Sequence, residues 1–362
     1  MNKETGTVEL KFSKVLFQRI NTYFSESGTS KKADRLMILK IVTGFLWLVL
    51  SYASFYLFPM HFWQFMLLFI LNGLAQVFIL LNISHDANHQ ALSKKKSVNN
   101  LLSYTFELCG ISSYMWRILH HRGHHSCMNV YPEDEAILAH GMFRLSPLAP
   151  WKRAYEFQHL YAFILYGVVS LDFVFVKDFY YFFFADYMHT KGKKHPVREY
   201  VLLFSSKIFY LGYMILLPAV FLSFSIGQIL LAFLVTHFIM GFITTLVFQT
   251  SHVIETSRFP ASSDEFDHYV YHIFATTSDY AVKSPLAFWF FGGLHQHIAH
   301  HLCPNVCHTH YPALTKIAAD TAKEFGVEYR ENKTMYQALV KHFNLLRQLG
   351  RPAPVAEPGY QF

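Results

Sequence analysis

Four runs of about 20 apolar residues, at residues 38–58, 62–84, 203–225 and 227–250, decide what this chain can fold into. A hydrocarbon core about 30 Å thick is crossed by about 20 residues of helix. Inside it, only helices and closed barrels satisfy their own backbone. The runs are continuously apolar, without the alternation of a barrel strand, so they predict helices. The first two are joined by a link holding Pro59 and His61, and the last two by a break before Gly227. Neither joint is long enough for a domain, so the pattern predicts two transmembrane hairpins. Composition agrees: 15% of residues are charged, against about 25% in an ordinary soluble domain. The missing charge means that much of the surface meets lipid.

Lys31, Lys32, Arg35 and Lys40 lie at or before the start of the first run, and Lys94, Lys95 and Lys96 follow the second. Lys191, Lys193, Lys194 and Arg198 precede the third, and the hairpin tips carry no Lys or Arg. Cytoplasmic flanks are the basic ones, which predicts both termini and both long polar segments on the cytoplasmic side. The net charge of +7 is then accounted for without nucleic acid as a partner. Residues 1–37 read as a cytoplasmic segment without the apolar core of a signal peptide. Residues 38–362 read as one domain, with 251–362 as its C-terminal cytoplasmic helical part. Residues 160–186 are apolar but interrupted by Asp172, Lys177 and Asp178, which predicts interfacial or partly buried helices, with a fifth span as the alternative. Residues 321–349 read as one amphipathic helix. The fold class expected is an all-α integral membrane protein: four spans in two hairpins under a cytoplasmic helical cap.

The chain has 22 histidines, and their placement is the second constraint. His85-Asp86-Ala87-Asn88-His89 stands where the second run ends, and a spacing of four puts both rings on one helix face. His120-His121-Arg122-Gly123-His124-His125 forms a second cluster, in which either His120 or His121 has a suitable spacing to the following pair. His297-Ile298-Ala299-His300-His301 forms a third, again on one face. A single pair is an ordinary polar helix face; three clusters on one predicted side of a membrane point to metal. Ionisable groups near a bilayer are costly and mark function, and neutral imidazole is the form that binds metal.

Eight imidazoles exceed one coordination shell, so two ions are expected. Zinc is redox-inert and usually four-coordinate, which makes so large a cluster wasteful; copper fits imidazole but gives no special reason for this placement. Iron suits a centre that activates dioxygen beside lipid. The clusters contain no Glu, and Asp86 is expected to orient a ligand from behind it. The four cysteines form no disulfide pattern. Cys303, Cys307 and His308 lack the second ligand pair of a zinc finger.

With these boxes the chain resembles membrane fatty acid desaturases, in the acyl-CoA or acyl-lipid, linoleoyl-CoA desaturase-like branch. The likeness also includes residues 116–129, Phe248-Gln249-Thr250-Ser251-His252-Val253, Thr276-Thr277-Ser278, and the stretch from Gly292-Gly293-Leu294 to His310-Tyr311-Pro312. It implies eight box histidines and one outside them, matching His252, with Gln249 one turn earlier placed to hold a metal-bound water. The expected ligand set is His85, His89, His120 or His121, His124, His125, His252, His297, His300 and His301. The cofactors implied are two Fe(II) ions, with dioxygen as co-substrate and no catalytic side chain beyond the metal centre.

Two residues depart from close relatives. His297 stands where they often carry Gln, and Ala299 where they carry Glu; both bear on double-bond position. His272, His295, His308 and His310 are expected to support the site without binding metal. His61, His140, His159, His189, His195, His237, His268 and His342 are expected to be structural. Tyr104, Phe106 and Trp116 are candidates to line an acyl tunnel, and Lys94, Lys95, Lys96 and Arg117 to meet an acidic head group.

The expected activity is oxygen-dependent desaturation of a fatty acyl chain. The chain shows no His-Pro-Gly-Gly heme signature, no Gly-rich dinucleotide fingerprint and no Cys-rich iron–sulfur run. The expected electron donor is therefore a separate ferredoxin or cytochrome. The rival readings are an acyl hydroxylase or acetylenase on the same scaffold, and a membrane metal transporter, which would place its ligands at mid-span.

Overall fold

The computed structural model describes residues 3–185, 194–266 and 268–352. Asp186, His189, Lys191 and Lys193 of the sequence reading lie outside them, as does the side chain of His140. The chain divides into two compact units: residues 33–118 with 163–245, and residues 1–32 with 119–162 and 246–362.

The first unit is built on the apolar runs. Helices Arg35–Leu57, Phe62–Asn88, Val197–Phe221 and Ile226–His252 are each long and apolar enough to cross a membrane. The expected boundaries shift by a few residues, most at the third, which begins at Val197 and not at Leu203. Asp34 starts the first span by accepting from the Met37 N–H at 2.8 Å, the side-chain cap that a helix N-terminus needs. Leu46, Val49 and Leu50 of this helix are more than half exposed, a surface suited to lipid. The second span is the inner one, 67% buried. Its Gly73 allows close approach, since a Cβ there would sit 2.2 Å from the Thr236 methyl. Residues 158–183 form two helices bent by 54°, Gln158–Tyr166 and Val169–Phe183, in keeping with an interrupted segment.

Polar side chains tie these helices together. Tyr210 donates to Gln76 (3.3 Å) and lies 2.8 Å from His237 Nε2. Gln76 donates to Asn72, and Asn72 to Ser51, each at 3.0 Å. His237 Nδ1 is 3.0 Å from Ser170 Oγ. Such bonds average only about 0.6 kcal/mol each in membrane helices, but this chain of bonds joins segments from all four spans and the bent pair. Lys207 and Asp178 form a buried ion pair at 2.6 Å. The charge that interrupts the apolar run at 178 is thus held by a cation in the third span.

Among its described residues the second unit combines helices with one two-residue parallel pairing, Asp279–Tyr280 with Glu331–Asn332. Residues 1–37, read from the sequence only as a polar flank, contain helix Lys3–Ser27. Phe12, Leu16, Ile20 and Phe24, each four residues apart, make one apolar stripe of it. The stripe packs with Phe274, Leu314 and Ala318, and Arg19 adds an ion pair to Glu324 at 2.5 Å. The single amphipathic helix expected over 321–349 is corrected to two, Tyr311–Phe325 and Met335–Leu349. Gly326 at φ +67° ends the first, the left-handed cap that glycine adopts without steric cost. Thr334 opens the second by accepting from Gln337 N–H.

His342 in that last helix is fully buried, with Nδ1 2.5 Å from the Val253 carbonyl. Burial pushes it down from the usual 6.5 to about 4. Above pH 6.5 the ring is neutral whether folded or unfolded. As pH falls from 6.5 toward 4 the unfolded chain takes up a proton that the fold refuses, so stability is lost, by about 3 kcal/mol in total for this group. The thermal midpoint of the detergent-solubilised protein is expected to fall between pH 7.5 and 5.0, and to fall less in His342→Gln. Equal falls in both would mean that His342 does not carry the effect.

Candidate metal centre

Two wide helical turns set the register of the histidines. Helix Phe62–Ile79 runs into a π-turn at Leu80–Ser84, where His85 N–H reaches the Leu80 carbonyl, before helix His85–Asn88. His89 N–H bonds to the His85 carbonyl at 3.1 Å, and their rings lie 4.7 Å apart. Trp116 stands edge-on to both rings, at 5.5 and 5.8 Å, and packs on Phe106 at 4.9 Å. Arg117, a candidate for a head group, donates to Asn88 within the first box at 3.0 Å. Lys40, completely buried, donates to Asn82 inside the π-turn at 2.7 Å.

The second box lies on a π-turn as well, Ile118–His124. His125 N–H bonds to the His120 carbonyl, five residues back, at 2.9 Å. The wider turn aligns residues five apart instead of four, which places the two candidates differently. His120 Nε2 lies 3.0 Å from His125 Nε2. The His121 ring stands 6.2 Å from that of His125. The third box forms helix His297–Leu302, with the His297 ring 5.1 and 4.8 Å from those of His300 and His301. Gly293, at φ +73° in the preceding loop, lies close against His308 and Tyr311; a Cβ there would sit 2.9 Å from each.

Within the second unit His124, His252, His297 and His301 converge, each offering a ring nitrogen within 4.8 Å of the others. All four are buried. His252 Nε2 is 3.2 Å from His124 Nε2 and 3.0 Å from His301 Nε2. Beside them, His125 Nε2 is 3.1 Å from His300 Nε2.

The outer nitrogens decide what the inner ones can be. His124 Nδ1 faces the Asp134 carboxylate at 3.0 and 3.2 Å. His252 Nδ1 faces the Thr276 carbonyl at 3.1 Å, and His297 Nδ1 the Leu294 carbonyl at 2.8 Å. Those oxygens only accept, so each Nδ1 carries the proton. In the neutral rings Nε2 is then a bare lone pair. Two bare lone pairs 3.2 Å apart, on His124 and His252, repel and cannot hydrogen-bond. A cation between them removes the conflict, and about 3 Å is the separation of two imidazole nitrogens on one ion at about 2.0–2.1 Å. Burial, and then the neighbouring rings of His125, His297, His252 and His300, hold His301 well below its ordinary 6.5, which favours the neutral, metal-binding form of that ring. The donor set fits a transition metal that takes imidazole.

The remaining candidates fall around this cluster. Gln249 donates to the Ala136 carbonyl at 3.1 Å, and its Oε1 is buried without a hydrogen-bond partner among the described residues. Asp86 Oδ1 is 3.7 Å from His85 Nδ1, beyond hydrogen-bond reach. Asp134, which holds the box histidine His124, is a residue that the sequence alone did not single out. His272 Nε2 meets the Met128 carbonyl at 2.7 Å, and His310 Nε2 that of Lys32 at 3.3 Å. His295 stacks edge-on to Tyr280, and His308 to Phe288. Asp279 fixes the start of the third box by accepting from Ile298 N–H at 2.8 Å.

Helices of membrane-spanning length and apolarity stand together with clusters of buried histidine that could hold a metal ion. The family model for fatty acid desaturases matches residues 61–333, and the chain belongs to the fatty acid desaturase family; it is an oxidoreductase, a fatty acyl desaturase. It is 33% identical to the sn-1 linoleoyl-lipid 6-desaturase of Synechocystis sp., over 94% of this chain and 96% of that one. It is 32% identical to an acyl-lipid (8-3)-desaturase of Physcomitrium patens, over 94% of this chain and 72% of that one. A second sn-1 linoleoyl-lipid 6-desaturase, from Arthrospira platensis, is 28% identical over 96% of this chain and 95% of its own.

Proposed function

We propose that the chain introduces a double bond into a fatty acyl group carried on a membrane lipid, using dioxygen and two ferrous ions. The ions are held by His85, His89, His120, His124, His125, His252, His297, His300 and His301. His121 stands by as the alternative to His120. The observation that supports this reading is the close approach of Nε2 of His124 and His252, whose outer nitrogens face oxygen acceptors, an arrangement that a bound cation would reconcile. When bound, the iron pair supplies reduction of dioxygen to water and removal of two hydrogens from adjacent methylene carbons. Two electrons and two protons from outside complete the balance, so that each dioxygen leaves as two waters.

This chain's residues bind and orient. Carbonyls and a carboxylate hold His124, His252 and His297 by their outer nitrogens, and all the proposed ligand rings but the half-buried His120 are buried, which limits bulk water at the centre. Selectivity between near-identical methylenes comes from holding the acyl chain at a fixed depth, with reacting atoms within about 3–3.5 Å. The names of the relatives support an acyl-lipid over acyl-CoA or acyl-ACP. His297 and Ala299 leave the double-bond position to experiment. The basic flanks Lys31, Lys32, Lys94, Lys95 and Lys96 support a cytoplasmic centre, cytoplasmic termini and a ferredoxin or cytochrome donor docking there.

The test is mass spectrometry of lipids from an expressing host fed defined acyl chains. Loss of two hydrogens from a glycerolipid-bound chain is expected. Gain of oxygen would make the enzyme a hydroxylase, and product confined to the CoA or ACP pool would overturn the carrier.

A further inference from the structure

Asp134 is fully buried and spends both carboxylate oxygens on three donors. His124 Nδ1 lies 3.0 Å from Oδ1 and 3.2 Å from Oδ2. Ala136 N–H donates to Oδ1 at 2.9 Å and Asn129 N–H to Oδ2 at 2.8 Å. Asn129 is held at φ +59°, a left-handed conformation that asparagine tolerates better than most residues. Its side-chain amide donates to the His252 carbonyl at 3.0 Å, the Arg258 carbonyl at 3.1 Å and the Thr276 carbonyl at 3.3 Å. The Thr276 carbonyl is the oxygen that receives His252 Nδ1–H. One short loop thus grips both members of the closest pair, His124 directly and His252 through Thr276.

We propose that Asp134 is the positioning residue of this centre. Its carboxylate fixes His124 as the Nδ1–H tautomer and makes Nε2 a stronger donor toward the metal, while the Asn129 bracket sets the distance to His252. The inference rests on the metal reading above. A ring that gives its outer N–H to a carboxylate is a more basic ligand, and loss of such an outer partner typically costs about 10- to 100-fold in metal affinity. A loop tie without this role would instead affect folding alone, or affinity equally whether or not His124 is present.

The experiment is a double-mutant cycle on the full chain in detergent. The apparent dissociation constant for ferrous iron is measured by chelator competition under anaerobic conditions, alongside the thermal midpoint of the metal-free protein. Asp134→Asn is expected to weaken iron binding about 10- to 100-fold with His124 present, and less than about twofold in a His124→Ala background. Equal losses in the two backgrounds, or no loss in either, overturn the proposal. If Asp134→Asn does not accumulate as folded protein, Asp134→Glu takes its place in the same cycle. It keeps the charge one methylene further out, so a smaller loss that again disappears with His124→Ala is expected, and an equal loss in both backgrounds overturns the proposal. Unaltered protein that binds no ferrous iron would sink the metal reading itself, an outcome distinct from a null cycle.

Discussion

Replacing His252 with alanine is expected to lower desaturated product by at least about 100-fold, more than the loss of an outer partner typically costs. Its Nε2 is within 3.2 Å of His124 and 3.0 Å of His301, so it is central to the four-histidine group. It also lies outside all three boxes, which makes it the sharpest test of the ligand set. The effect on stability has the opposite sign from that of an ordinary core truncation. In the metal-free protein the substitution removes a lone pair that opposes that of His124. The metal-free thermal midpoint should therefore stay level or rise, while ferrous iron retained per chain falls. Product formation and iron content both unchanged would remove His252 from the centre. A collapse of the metal-free midpoint would make it a packing residue.

Lys207→Met is expected to destabilise the membrane-spanning unit by about 3–5 kcal/mol, because it strands a buried carboxylate. Lys207 Nζ reaches Asp178 at 2.6 Å, the Gly110 carbonyl at 2.5 Å and the Phe173 carbonyl at 3.0 Å. Asp178 is also held by the Ser112 N–H at 2.7 Å. Without the ammonium the carboxylate is left with that one donor in a fully buried place. At about 2–4 °C per kcal/mol for a unit of this size, the thermal midpoint in detergent should drop by roughly 10 °C. Adding Asp178→Asn should restore most of it, since a neutral amide keeps an acceptor for Ser112 and carries no charge to strand. A single variant as stable as the parent, or a double variant no better than the single, would show that the pair's charge is not what holds these helices.

The apolar runs were legible because lipid leaves a chain little choice. The boxes were legible because ligands of one ion must be close, and helical spacing brings residues three or four apart together. Legibility stopped where the backbone left the regular helix. At the second box the sequence left His120 and His121 open, since spacing arithmetic assumes 3.6 residues per turn. The π-turn at Ile118–His124 aligns residues five apart and brings His120 to His125. At the C-terminus, apolar periodicity carried on through Gly326 and hid the break between two helices.

Asp134 went unseen for a different reason. Asp86 stood inside a box and drew attention by adjacency, yet its carboxylate is 3.7 Å from the His85 ring. The carboxylate that meets His124 is ten residues beyond it, delivered by a loop whose path no local pattern encodes.

By itself the sequence determined that the chain would be helical, meet lipid and gather imidazoles into boxes, because each of these follows from interactions between near neighbours along a helix. Only the tertiary structure decided which nitrogen of each ring faces inward, which carboxylate grips His124, and that His252 joins residues 49 positions away at His301. Those are contacts between distant segments, set by turns and carbonyls whose directions exist only after the chain has packed.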